Sequence, residues 1–332
     1  MDDPLDDQIR DLVASAGITA NADQVRQIVA NAIGMGQDVT DRLDLKITNA
    51  AVAEMRNAFR TFAPFQDTPK VTIFGSARTR TDDPQYVQTH DLAAALAAKG
   101  WMVVTGAGPG IMQAAMEGAG AERSIGVSIR LPFEERANTL IHDDPKHVSM
   151  KYFFTRKLML VKESRAFVSV PGGFGTLDET FELLTLIQTG KEPPAPVVLF
   201  EPDGDGYWKL WREFVNDELL AAGLVSPVDL DLVRITSSVD DAMDYIDAFY
   251  RTFDSMRYVD GRLVVRLCHE ISDETLARLN AEFADIVTEG RIERTAALPA
   301  EVEDDDDVDR PRLILSFDQY HFGRLHQFIR AL

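Results

Sequence analysis

Residues 166–182 read AFVSVPGGFGTLDETFE, an apolar strand that runs through a proline and three glycines straight into a helical pattern. No other feature constrains the fold as much. A strand that ends in glycines and restarts as a helix is a βα unit, and its turn lies at the carboxyl end of a parallel strand. Gly172, Gly173 and Gly175 let the backbone turn tightly and approach a ligand. Thr176 is read as opening the helix, whose first free N–H groups and positive dipole end favour a phosphate. Glu179 follows three residues later, so Thr176 and Glu179 also fit a T-x-x-E capping box. The two readings are compatible, but three glycines and a proline are what a phosphate cradle needs and a capping box does not.

From Val71 onward the same kind of unit recurs. Strands VTIFGS, WMVVTG, SIGVSIR, AFVSVPGG and PVVLFE alternate with helices ending near Lys99 and Ala121 and with helices over 152–164 and 177–190; SIGVSIR leads into a loop. This alternation predicts an α/β fold, a Rossmann-like doubly wound parallel sheet covered on both faces. In such sheets ligands bind beyond the carboxyl ends of strands, where FGSAR, TGAGPG and PGGFGT all fall. Residues 1–68 show apolar spacings of three and four and are expected to form a helical arm, with Asn21 and Thr40 as caps. The body is expected over 69–254. Residues 255–332 read as a small α+β appendage: strand RLVVRLC, helix SDETLARLNAEFADIVTEG, strand RIERTAA, an acidic loop, strand RLILSF and a terminal helix.

With 332 residues and 45% hydrophobic content, the chain can bury a full core and a second small one. Its formal charge of −20 argues against nucleic acid or an anionic membrane as partner, since either demands a basic patch. A small phosphorylated ligand needs only a local positive pocket, and Arg78, Arg130, Arg156, Lys157 and Arg165 lie in or beside the glycine blocks. Arg165 reads as a surface charge, and Arg130 is open to either role. The single cysteine, Cys268, reads as a strand residue and excludes a disulfide framework and a cysteine zinc site. The acidic start lacks a signal-peptide pattern, and no apolar run reaches spanning length, so a cytoplasmic location is expected. The run EVEDDDDVDR at 301–310 lacks the glycine and spaced ligands of an EF-hand and reads as a solvated loop; His321 and His326 read as surface or packing residues, so no metal site is expected. No P-loop motif occurs, GAGPG is not G-x-G-x-x-G, and no Ser-His-Asp or Cys-His arrangement stands at motif spacing.

PGGFGTLDE resembles the PGGxGTxxE signature of the LOG (Lonely Guy) family, formerly labelled lysine decarboxylases. FGSART at 74–79, TGAGPGIMQAAMEGAG at 105–120, LPFEERAN at 131–138 and FFTRKLML at 153–160 resemble further family blocks in the same order, and the likeness covers about residues 70–250. The chain differs in its long extensions and in reading TGAG where many members have GGG, so Ala107 is expected to narrow that turn. The resemblance implies hydrolysis of the N-glycosidic bond of a nucleoside 5′-monophosphate, AMP or an N6-substituted cytokinin type, to free base and ribose 5-phosphate. It implies Glu179 as the acid that stabilises the sugar cation or activates water, and Arg156 as the residue that fixes the nucleotide. Gly75, Ser76, Gly173, Gly175 and Thr176 would donate to the 5′-phosphate, with Arg78, Gly106, Gly108, Lys157 and Gly172 also binding; Lys157 could instead face away. The family also implies a homodimer or larger even-numbered assembly and no cofactor. A non-catalytic nucleotide or molybdenum-cofactor carrier remains an alternative use of the same cradle. The older decarboxylase label would need pyridoxal phosphate on a lysine, for which only Lys157 has any context.

Overall fold

The computed structural model describes residues 4–130, 141 and 143–332. The LPFEERAN segment named above lies outside the described residues. The chain divides into two compact units, Met1–Asn57 and Ala58–Leu332. Helices α1 (Pro4–Ser15), α2 (Ala22–Gln37) and most of α3 (Arg42–Phe62) make up the first. Neither expected cap operates there. Asn21 does stand at the N-cap position of α2, in the left-handed region at φ 53°, but makes no side-chain capping bond. At α3 it is Asp41, not Thr40, whose carboxylate accepts the Leu43 N–H at 2.7 Å.

The second unit is built on β1 (Lys70–Phe74), α4 (Pro84–Ala98), β2 (Met102–Thr105), α5 (Ile111–Ala119), β3 (Ser124–Ile129), β4 (His147–Met150), α6 (Phe153–Lys162), β5 (Ala166–Ser169), α7 (Phe174–Gln188), β6 (Val197–Phe200), α8 (Tyr207–Phe214), β7 (Val233–Thr236) and α9 (Val239–Phe249). All seven strands are parallel, in the order β4-β3-β2-β1-β5-β6-β7. Two of them, β4 and β7, are not among the strands read from the sequence, and they are the two edges.

Alternation along the strands loads both faces. Phe167 of β5 and Val104 of β2 join Leu160 of α6, Leu183 and Ile187 of α7 and Trp208 of α8 in one core. Val71 and Ile73 of β1 and Val168 of β5 join Leu92 of α4, Ile111 of α5 and Ile246 of α9 in the other. The sheet is therefore doubly wound. β1 feeds a helix on one face and its neighbour β5 feeds a helix on the opposite face, so the loops after these two strands part and leave a crevice.

A four-stranded sheet follows, ordered β10-β11-β9-β8, from β8 (Phe253–Val259), β9 (Arg262–Leu267), β10 (Val287–Thr295) and β11 (Arg312–Phe317), with α10 (Asp273–Glu282), α11 (Pro299–Glu303) and α12 (Phe322–Arg330). Here β8 is an additional strand, and the predicted helix over SDETLARLNAEFADIVTEG stops at Glu282 because VTEG enters β10. Cys268 lies just past β9 and is exposed.

The acidic run 301–310 is mostly exposed, as a solvated loop should be, but its first residue is an exception. Glu301 is fully buried, its Oε1 accepting from Nε and a terminal nitrogen of Arg266 at 3.1 and 2.8 Å, and Oε2 accepting the Leu298 N–H at 3.1 Å. Arg312 is also buried and lies 3.5 Å from Oε2. Asp306 reaches Arg266 and Arg257. His326 is buried against Phe249, ring centroids 5.3 Å apart, and burial pushes its pKa down to about 4. Arg165 stacks on Tyr250, 4.4 Å from the ring centroid, and donates to the Asp254 carbonyl. No helix among the described residues is long and apolar enough to cross a membrane.

Candidate active site

A cleft of about 1140 Å³ opens over the carboxyl ends of β1, β2, β3 and β5 and runs along β4. It is lined by Gly75, Ser76, Arg78, Gly106, Gly108, Arg156, Gly172, Gly173, Gly175, Thr176 and Glu179. Arg130, left open above, also lines it, and Arg165, read as a surface charge, does not; of the binding residues implied by the family likeness only Lys157 does not. Its ammonium lies 2.9 Å from Asp178 and 2.8 Å from Glu182. Burial alone would lower its pKa, but the bonds to Glu182 and Asp178 raise it. Lys157 and Arg156 are adjacent on α6, and a helix turns successive side chains about 100° apart.

The glycines play two different parts. An added Cβ on Gly172 would sit 2.2 Å from Thr176 Oγ1, and one on Gly75 would sit 2.4 Å from Ile111 Cγ2. Gly110, at φ +66°, would bring a Cβ to 2.3 Å from the Ser76 carbonyl oxygen. These positions let backbone pack on neighbours. Gly173 and Gly175 are different, because nothing lies within 4 Å of a Cβ at either and neither has positive φ. Their glycine identity keeps the cleft empty instead of relieving the fold.

The glycine loop also begins the helix earlier than its letters suggest. α7 starts at Phe174 with Gly173 as its N-cap and no side-chain cap, so Thr176 is the third helical residue and the capping box with Glu179 does not form. Leu177 makes the first intrahelical bond, to the Gly173 carbonyl at 3.1 Å. The N–H groups of Phe174, Gly175 and Thr176 therefore have no helical acceptor. Thr180 Oγ1, bonded to the Thr176 carbonyl at 2.7 Å and to Ser169 Oγ at 2.9 Å, ties this turn to β5. Tyr207 holds the loop from the other side by donating to the Gly172 carbonyl at 2.7 Å. α5 starts at Ile111 with Gly110 as its N-cap and no side-chain cap, and the Ile111 N–H donates to the Ser76 carbonyl at 3.0 Å. Ser76 Oγ accepts the Arg78 N–H at 3.0 Å, which leaves its own hydrogen to donate.

Ala107 takes φ 55°, a region that glycine enters without strain. Ala107 lines the cleft beside Gly106 and Gly108. It packs with Met116 and Ile141 in a small apolar cluster.

Glu179 is 7% exposed, and its Oε2 is buried with no hydrogen-bond partner among the described residues. Oε1 lies 4.0 Å from a terminal nitrogen of Arg156. Burial raises the carboxyl pKa to about 7; Arg156 and Lys157 pull it down, while Glu182 and Asp178 push it up. Arg156 Nε donates to the Val127 carbonyl at 3.0 Å, and a Cβ on Gly106 would sit 2.0 Å from its other end. The guanidinium is thus laid across the cleft floor from α7 to β3. A buried acid on the verge of protonation beside a positioned arginine can take a proton from water and stabilise a cation on carbon.

Sequence reasoning missed several lining residues: Met112, Ser128, His147, Ser149, Phe153 and Phe174. Histidines looked remote from the glycine blocks, yet His147 Nε2 lies 2.8 Å from Ser128 Oγ in this cleft. The readable signal was alternation in SIR and HVS, which puts i and i+2 on one face. Phe174 is 95% exposed at the lip. Among the described residues no group of His, Cys, Asp and Glu is placed to hold a metal.

Residues 110–246 match a family model described as possible lysine decarboxylase. The chain is 32% identical over 161 residues to the cytokinin riboside 5′-monophosphate phosphoribohydrolase of Mycobacterium tuberculosis, covering 46% of this chain and 80% of that protein. It is 30% identical over 156 residues to the enzyme of the same name from Mycobacterium marinum, again covering 46% and 80%. Among solved structures, the molybdenum cofactor carrier protein from Chlamydomonas reinhardtii aligns at 21% identity with a TM-score of 0.37, covering 53% of this chain and 94% of that one. The identity and coverage to the mycobacterial enzymes, together with the matching glycine blocks around Glu179, mean that the chain belongs to the LOG family of phosphoribohydrolases.

Proposed function

We propose that this protein hydrolyses the N-glycosidic bond of a nucleoside 5′-monophosphate, with AMP or a cytokinin-type N6-substituted AMP as the favoured substrate, releasing base and ribose 5-phosphate. The observation that carries this reading is the pairing, in one cleft, of two helix N-termini without side-chain caps with Glu179, whose buried Oε2 has no hydrogen-bond partner among the described residues. In a chain of net charge −20, a phosphate needs local compensation, and the N–H groups of the first turn of α7, those of α5 after Ile111, and Arg78 provide it. Phosphate binding there brings the sugar beside Glu179. Cleavage passes through an oxocarbenium-like state, which a carboxylate stabilises as it takes a proton from the attacking water. Arg156 orients the nucleotide and restrains the acid.

The test is a screen of common nucleoside monophosphates for base and ribose 5-phosphate, with the matching nucleosides as controls. Base release from at least one monophosphate, and much slower release from its nucleoside, is expected. Tight binding with no release from any of them would contradict the proposal and leave a carrier. Equal rates on nucleosides would contradict the phosphate role of the glycine loops.

A further inference from the structure

The cleft has a polar end that the hydrolytic reading does not use. Ser128 on β3 and His147 on β4 both line it, on adjacent parallel strands, with Oγ and Nε2 at 2.8 Å. Register places Gly126 opposite His147 and Ser128 opposite Ser149, so the imidazole has no side chain facing it on β3 and leans along the strand to the serine two residues on. The pair is close to the proposed chemistry. The Arg156 guanidinium that stands beside Glu179 also donates to the carbonyl of Val127, the residue before Ser128. With phosphate at the β1/β5 crevice and the sugar at Glu179, the base is left with the β3–β4 end. The phosphate site and Ser128 are about two and a half strand spacings apart, roughly 12 Å, which suits an extended nucleotide.

We propose, resting on the hydrolase reading above, that Ser128 and His147 form a proton relay to the departing base. A purine leaves poorly as an anion. In the step inferred here the bond from C1′ to the base nitrogen breaks and its electron pair moves into the base ring. The Ser128 hydroxyl proton passes to a ring nitrogen such as N7 as the imidazolium Nε2 proton passes to Ser128 Oγ. Water oxygen bonds to C1′ and gives its proton to Glu179. Serine ends unchanged, imidazolium has become imidazole, carboxylate has become carboxylic acid, and exchange with solvent resets both. Glu179 and the pair thus flank the scissile bond as base and acid.

The experiment compares two substrates: the purine monophosphate that the wild-type protein cleaves best, and its N7-methylated counterpart, whose cationic base departs without a proton. His147→Gln and Ser128→Ala, with melting temperatures checked, should each lose on the order of a hundredfold in kcat on the ordinary substrate and no more than a few fold on the methylated one. The double variant should be no worse than either single one, because a relay broken once is broken. Should His147→Gln fail to fold, Ser128→Ala carries the same comparison. Equal losses on both substrates, or none on either, would overturn the relay while leaving hydrolysis standing. Wild-type protein that releases base from neither substrate would instead remove the hydrolase reading itself.

Discussion

Two regions of this molecule each bury a glutamate, and they treat it in opposite ways. In the small C-terminal sheet, Glu301 has both oxygens engaged, by Arg266, by the Leu298 N–H and beside Arg312. In the cleft, among the described residues, Glu179 has one oxygen without a hydrogen-bond partner and the other 4.0 Å from Arg156. The fold can clearly supply partners for a buried acid. Withholding them from Glu179 leaves a carboxylate that is costly in the resting protein and able to pair with a cation that arises only during reaction.

That contrast is open to direct attack. Glu301→Gln should produce the largest stability change, about 3 kcal/mol or more, because Arg266 and Arg312 lose their buried counter-charge; denaturant melts would show it, with base release by the folded fraction unchanged. Within the glycine loops the contrast recurs. Gly173→Ala meets nothing within 4 Å and should fold normally while weakening nucleotide binding about tenfold, or about 1.4 kcal/mol. Gly110→Ala drives a Cβ onto the Ser76 carbonyl oxygen and should instead lower the melting temperature. Calorimetric titration and thermal melts on the two variants separate ligand space from fold space. The smallest effect concerns pH. Since Glu179 must be ionised to accept a proton, kcat/KM should fall as pH drops through about 7. Arg156 and, to a lesser degree, Lys157 hold its pKa down, so Arg156→Ala should move that limb to higher pH and Lys157→Met should move it less.

The doubly wound body was legible because buried parallel strands are nearly continuous apolar runs, and the cradle because close backbone approach leaves little choice but glycine. β4 and β7 were not. Each has four residues and one strand neighbour, and HVSM and VRIT bury too few positions to stand out from loop. The T-x-x-E pattern misled because the helix begins two residues before Thr176, which a motif read from side chains does not register. The acidic run is largely the exposed segment its composition suggests, but the pairing of its buried and half-buried members was hidden for a different reason. Its partners Arg257 and Arg266 lie some forty residues upstream, and pairing across strands has no local spacing. His147 was overlooked because it belongs to no motif and joins the cleft only through the edge strand.

The most direct test is Glu179→Gln at pH 8, with melting temperature, nucleotide binding and base release measured on the same preparation. A carboxyl whose folded pKa is raised stabilises the fold fully below its unfolded value of 4.5 and loses that contribution as pH rises through about 7. At pH 8 the ionised wild-type side chain therefore carries its whole burial cost, at most about 3 kcal/mol, and glutamine removes it. The expected result is a melting temperature equal to or above wild type, nucleotide binding retained, and base release reduced by on the order of a hundredfold or more. Near-normal base release, or a destabilisation like that expected for Glu301→Gln, would mean that Glu179 is an ordinary structural acid.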